Sequence, residues 1–126
     1  MKNKGRLLWV DGLGGLLAGA VVFLLSGWLS ELEGLPEGFV VFMAGANLVY
    51  GAYATALASR SERPAVGIGS LACANMLWGV LCLGFAFWFR EHITSFGLLH
   101  VLGEGAYVGG LGQVEWRWRA ALRVAA

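Results

Sequence analysis

Residues 44–52 read A-G-A-N-L-V-Y-G-A, and residues 72–80 read A-C-A-N-M-L-W-G-V. Each places an Asn, an aromatic three residues later and a Gly four residues later inside a long apolar run. Extended at helical spacing, the first becomes a face of Ala44, Asn47, Gly51, Ala54 and Ala58, and the second a face of Ala72, Asn75, Gly79, Cys82 and Ala86. Both are stripes of small side chains with one polar group, and such stripes let helix backbones approach closely in lipid. The reading that follows is an all-α membrane protein.

Composition supports it. Of 126 residues 58% are hydrophobic and only 13% charged, about half the charge of a soluble domain. The net charge is +1 with no acidic or basic tract, so a nucleic-acid partner is not expected. No Pro-rich or Gly/Ser linker marks a second domain. Cys73 and Cys82 are nine residues apart on one helical run, roughly 13 Å along its axis, too far for a disulfide. They read as small apolar residues on a packing face.

At about 20 residues per crossing the chain holds four spans, near residues 7–29, 37–58, 64–89 and 95–116, forming one integral membrane domain, a four-transmembrane-helix bundle with short loops. The first run is too long for a signal-peptide h-region and carries Asp11 near its start, so it reads as an uncleaved span. Pro36 and Pro64 fall at or just before the first turns of spans two and three, where a missing N–H costs nothing. Thr94 or Ser95 can cap the fourth. Trp9, Trp28, Trp88, Trp116 and Trp118 fall at span ends, as an interfacial aromatic belt requires.

Charge sets the expected orientation. Lys2, Lys4, Arg6, Arg60, Arg63, Arg117, Arg119 and Arg123 lie at the two ends and in the middle loop, whereas the other loops hold only Arg90 beside Glu31, Glu33, Glu37 and Glu91. This asymmetry predicts that both termini and the middle loop face the cytoplasm, the expected membrane being a bacterial inner membrane.

Counting inward from Arg60, Arg63 and Arg117 puts Asn47, Asn75 and Glu104 within roughly 2 Å of one depth near the midplane. Tyr50, Trp78 and Tyr107 each lie three residues from one of them. The expected site is therefore a polar layer from three helices, with Glu104 as its most costly member, at about 2.5 kcal/mol or more for a carboxylate at that depth. Glu104 is expected to be protonated or strongly hydrogen-bonded. His100 sits at i and i+4 to Glu104, one turn away. The pair lacks the further ligands that a metal or a haem would need, so neither metal nor cofactor is expected. Asp11, Thr55, Ser70 and Gln113 form a second, shallower layer by the same count. Asp11 and Glu115 read as interfacial ion-pairing residues, Asp11 also as a candidate lining a vestibule.

No catalytic motif occurs, so an enzyme is not expected. The reading that requires fewest features is a non-catalytic bundle subunit, a partner of another membrane protein, with Asn47 and Asn75 as packing glue. The other is a small proton- or ion-coupled transporter, a homo-oligomer with Glu104 as the titrating residue. In length, helix number and possession of a membrane carboxylate, the chain resembles the small multidrug-resistance transporters. Their key carboxylate lies on the first helix, which here offers only the shallower Asp11, so the chain is not assigned to that family.

Overall fold

Pro36 and Pro64 open the two helices that carry the repeated motif. Each takes an extended ψ of 140° as the N-cap, releasing α3 (Glu37–Ala58) and α4 (Ala65–Trp88) from the following residue. A computed structural model describes residues 5–123 of the chain. It is all-helical, with no strand among the described residues. α1 (Arg6–Leu24), α3 and α4 are long and apolar enough to cross a membrane. α5 (Ser95–Arg117) matches them in length at 23 residues, but His100, Glu104, Gln113 and Glu115 dilute its apolar character. Thr94 caps α5 by accepting from the Gly97 N–H at 3.2 Å. Lys2 and Lys4, used in the charge asymmetry, lie outside the described residues.

The first span is shorter than the sequence reading of 7–29. The helix leaves regular geometry at Leu25 (φ −102°, ψ 12°), just before the Ser26-Gly27 pair, and α2 (Ser26–Glu33) continues in a new direction. Adjacent Ser and Gly residues tolerate such a kink because they hold the helical backbone weakly. α2 folds across the end of the molecule onto α3 and α5. It stops at Gly34, whose φ of +68° is the one positive φ among the described residues. A Cβ there would run into the His92 carbonyl. The Thr94 N–H donates to the Glu33 carbonyl at 2.9 Å and the Thr94 hydroxyl to the Leu32 carbonyl at 2.7 Å, tying this end to the α4–α5 loop.

The small-residue faces do not meet each other. The Asn47 face of α3 packs antiparallel on α1, and the Asn75 face of α4 packs antiparallel on α5. Gly51 shows how close the first pair comes: a Cβ there would sit 2.5 Å from the Leu16 backbone nitrogen. In the second, a Cβ on Gly105 would sit 2.8 Å from the Cys82 Cβ. Cys82 is thus on the packing face as expected, whereas Cys73 is exposed, because it sits one residue off the Ala72–Asn75 stripe.

Between the two pairs the side chains are large. Phe39 of α3 meets Phe85 edge-on at 4.9 Å and Phe89 at 4.7 Å, and Tyr50 lies 6.0 Å from Trp78. Rings of this size hold α3 away from α4 where glycines let α3 touch α1. The outcome is two tight helix pairs with space between them.

The opposite end is closed by α6 (Arg119–Leu122), whose fully buried Leu122 packs among Leu8, Leu57, Ile68 and Leu71. Arg63 is buried here too, not the free loop cation its position in sequence implies. Its Nε and Nη2 donate to the carbonyls of Leu57 (2.8 Å) and Ala58 (2.9 Å), and its Nη1 to the Leu122 carbonyl (2.9 Å). A cation suits this place because the last carbonyls of α3 lack the helical partners of the interior and carry the negative end of the helix dipole. Burial lowers the Arg63 pKa from its ordinary value, and a guanidinium remains charged all the same.

Candidate functional site

Glu104 is the centre of one polar cluster. Its Oε1 accepts from the Asn47 Nδ2 at 2.8 Å and its Oε2 from the Trp78 Nε1 at 2.6 Å. The His100 Nε2 lies 3.7 Å from Oε1, and the other ring nitrogen, Nδ1, lies 2.8 Å and 2.9 Å from the two Glu33 oxygens. Glu104 thus meets Asn47 of α3 and Trp78 of α4, with His100 of its own helix alongside. Glu33 was not expected there. It reads in sequence as one of several loop acids, yet it is 4% exposed, because the kink at Leu25 swings α2 over the bundle and aims its last turn at α5. The one signal in the sequence is its spacing of four from Leu29, which is partly buried on the same face of α2.

Asn75 does not join this cluster, contrary to the single layer counted from sequence. Its Nδ2 donates to the Asp11 Oδ2 at 2.9 Å and to the Glu115 Oε1 at 2.8 Å. The reason is the register of α4 on α5, in which Gly112 packs against Ala72 and Met76 while Gly105 packs against Cys82, and the lean of helical side chains adds to it. Every Cα–Cβ bond tilts toward its own helix N-terminus. α3 and α5 run one way and α4 the other, so Asn47 and Glu104 lean toward the Glu33 end while Asn75 leans toward the Arg63 end. Asn75 thus stands beside the Gly112 stretch of α5, roughly two turns from Glu104, and the one counted layer becomes two.

The second layer also differs from the expected one. Asp11 and Glu115 are buried, at 5% and 0% exposure, and among the described residues neither forms an ion pair with Lys or Arg. The interfacial ion-pair reading is thereby corrected. Glu115 completes the buried face Val101, Gly105, Val108, Gly112, and that spacing would have located it. Ser70 and Gln113 are exposed, lying off the inward faces of α4 and α5. Thr55 is where it was expected in depth, with its hydroxyl buried and unpartnered against Gly12.

The two clusters share a geometric relation. Asn47 of α3 reaches across to Glu104 of α5, and Asn75 of α4 reaches across to Asp11 of α1. Exchanging α3 with α4 and α1 with α5 turns one bridge into the other. That exchange reverses the order of helices along the chain, so it relates bonds in space and is not a repeated hairpin.

Both bridges face one cavity of about 590 Å³ between the helix pairs, lined by Asp11, Asn75, Asn47, Tyr50, His100, Glu104 and Tyr107, with Gly14, Ala18, Val22, Leu99 and Val108 completing the wall. Every candidate residue from the sequence except Trp78 lines it, and Trp78 holds Glu104 from behind. The chemistry available is proton exchange and hydrogen bonding to a polar or cationic guest. Among the described residues no three His, Cys, Asp or Glu side chains converge so as to hold a metal ion.

This chain is thus an all-helical protein with three membrane-competent helices and buried carboxylates on a common cavity. No protein-family model matches it, and no curated protein and no solved structure is significantly similar to it.

Proposed function

We propose that the chain is a four-span membrane protein that couples proton binding at Glu104 to the movement of a second solute, in preference to the subunit reading. α5 is the fourth span, and the cationic ends and α3–α4 loop face the cytoplasm of a bacterial inner membrane. The observation that carries the proposal is the common cavity, onto which Glu104, His100 and Asp11 all open. Packing alone does not call for these groups. Asn side chains supply interhelical hydrogen bonds of about 0.6–2 kcal/mol each without a charge to desolvate, whereas a carboxylate at this depth costs at least about 2.5 kcal/mol. The imidazole of His100 stands between Glu33 and Glu104 with one nitrogen toward each, an arrangement suited to passing a proton between the end of the molecule and the cavity. Carboxylates and tyrosines among aliphatic side chains suit a small amine-bearing or cationic solute.

The test is reconstitution into liposomes with a proton-sensitive dye inside. A pH jump moves protons or a cationic dye across wild-type vesicles, and Glu104→Gln stops that movement while the protein still inserts and folds. Absence of flux across a broad panel of cations, with Glu104→Gln only lowering thermal stability, would refute the proposal.

A second reading has its own support. A groove of about 740 Å³ on the outer face of α4 and α5 is lined by small and flexible apolar residues, among them Met76, Gly79, Val80, Leu102 and Gly110. Such a face favours association in the membrane, either of copies into the homo-oligomer that transport by so small a chain calls for, or with a partner. Co-purification of a stoichiometric partner in mild detergent, together with absent flux, would favour the subunit role.

A further inference from the structure

Glu104 and the Asp11–Glu115 pair are provided for very differently. Glu104 has a donor on each oxygen and an imidazole nearby. Asp11 and Glu115 share a single amide NH2 as donor, that of Asn75, with oxygens 2.9 Å and 2.8 Å from the same nitrogen. Two carboxylates so placed lie within about 6 Å of each other, a separation at which two buried like charges do not both ionise. The groups facing them do not relieve this. Tyr107 of α5 is the titratable side chain that faces Asp11, α3 presents the Thr55 hydroxyl, and α4 presents Asn75. Arg6, Arg117 and Arg119 form no ion pair with either carboxylate. Two buried acceptors at the centre, the Glu115 Oε2 and the Asn75 Oδ1, have no donor at all. Both residues are 0% exposed, so bulk solvent does not satisfy these oxygens.

We propose that Asp11 and Glu115 form a second proton-binding site, in which the two carboxyl groups hold one proton between them over the Asn75 amide. The proton comes from water in the cavity that Asp11 lines. It forms an O–H bond on a carboxylate oxygen, which turns an acceptor without a donor into a donor, and it leaves by the same route as the carboxyl group reionises. The site is distinct from Glu104 and does not depend on transport.

The chain makes this testable, because Asp11 is its only aspartate. Protein with 13C-labelled aspartate side chains gives one carboxyl resonance, and infrared spectra of the same bilayers report protonated carboxyl groups. In the Glu104→Gln background at neutral pH, the protonated-carboxyl band remains, and Glu115→Gln added to it abolishes the band and shifts the Asp11 resonance. Should Glu115→Gln fail to fold, the label alone decides: the Asp11 resonance titrates in the same step as a glutamate carboxyl band. A fully ionised Asp11 signal with no protonated-carboxyl band at neutral pH overturns the proposal. So does a signal that changes at fixed pH when sodium replaces choline, which would make the guest a metal cation. These spectra read the same whether or not the liposomes show flux, so the two proposals fail separately.

Discussion

Gly51→Ala tests the helix pairing on which everything else rests. The new Cβ would stand 2.5 Å from the Leu16 nitrogen, 2.8 Å from the Gly12 oxygen and 2.9 Å from the Gly15 carbonyl carbon, against 3.4–4 Å for ordinary contact. All three are backbone atoms, so no side chain can turn aside, and α1 must back away from α3 by about 1 Å near this point. A gap of about 0.5–1 Å forfeits a quarter to a half of each dispersion contact it opens. Overpacking of this kind costs about 1–3 kcal/mol, offset in part by the roughly 1 kcal/mol that Ala gains over Gly in a helix. The net loss is about 0–2 kcal/mol, and about 1–3 kcal/mol relative to a glycine replaced without a clash. Gly84→Ala on α4 is the matched control, since a Cβ there meets nothing within 4 Å and only the favourable backbone effect remains. Unfolding of both variants in detergent, followed by circular dichroism against added denaturing detergent, measures the difference. If Gly51→Ala proved as stable as Gly84→Ala, the close α1–α3 approach would be wrong, and with it the cavity.

Three further outcomes follow from other parts of the molecule. Arg63→Lys should destabilise by about 3 kcal/mol, because one ammonium cannot reach three diverging carbonyls each worth about 1.5–3 kcal/mol to a charged donor; thermal unfolding near that of wild type would refute this. Gly34→Ala should cost about 1–3 kcal/mol, since its φ of +68° and the adjoining His92 carbonyl both exclude a Cβ, and proteolysis in the α2–α3 connection should rise with it. A double-mutant cycle of Trp78→Phe with Glu104→Gln should show coupling of about 1 kcal/mol through the 2.6 Å hydrogen bond, and strict additivity would deny that bond.

Much of the fold was legible in the sequence for a simple reason. Apolar runs of crossing length, proline at the first turn and Thr94 at a cap act locally, and α3, α4 and α5 begin and end within a residue or so of the expected bounds. The exception, the end of the first span, lies in a run where Leu25 is as apolar as its neighbours. The kink there comes from weak backbone support at Ser26-Gly27, and apolarity does not register it. Glu104, His100, Asn47 and Trp78 were singled out because a polar group inside an apolar run stands out by itself, and in the structure they lie together. Glu33 and Glu115 were missed because each lies near a helix end, where an acid ordinarily needs no explanation.

By itself, then, the sequence determined where α3, α4 and α5 lie, which of their faces are small, and that Asn47 and Asn75 lie inside, since all three depend on side-chain type and a period of 3.6. The tertiary structure alone decided which face meets which. Glycine faces close α1 on α3 and α4 on α5, while aromatic side chains hold the pairs apart and leave the cavity. It also decided that one counted layer is two, because the close packing of α4 on α5 sets the Asn75 stretch beside Gly112 and leaves Gly105 beside Cys82. Asn75 went to Asp11 and Glu115 for that reason, while Glu104 kept Asn47 and Trp78 as its donors.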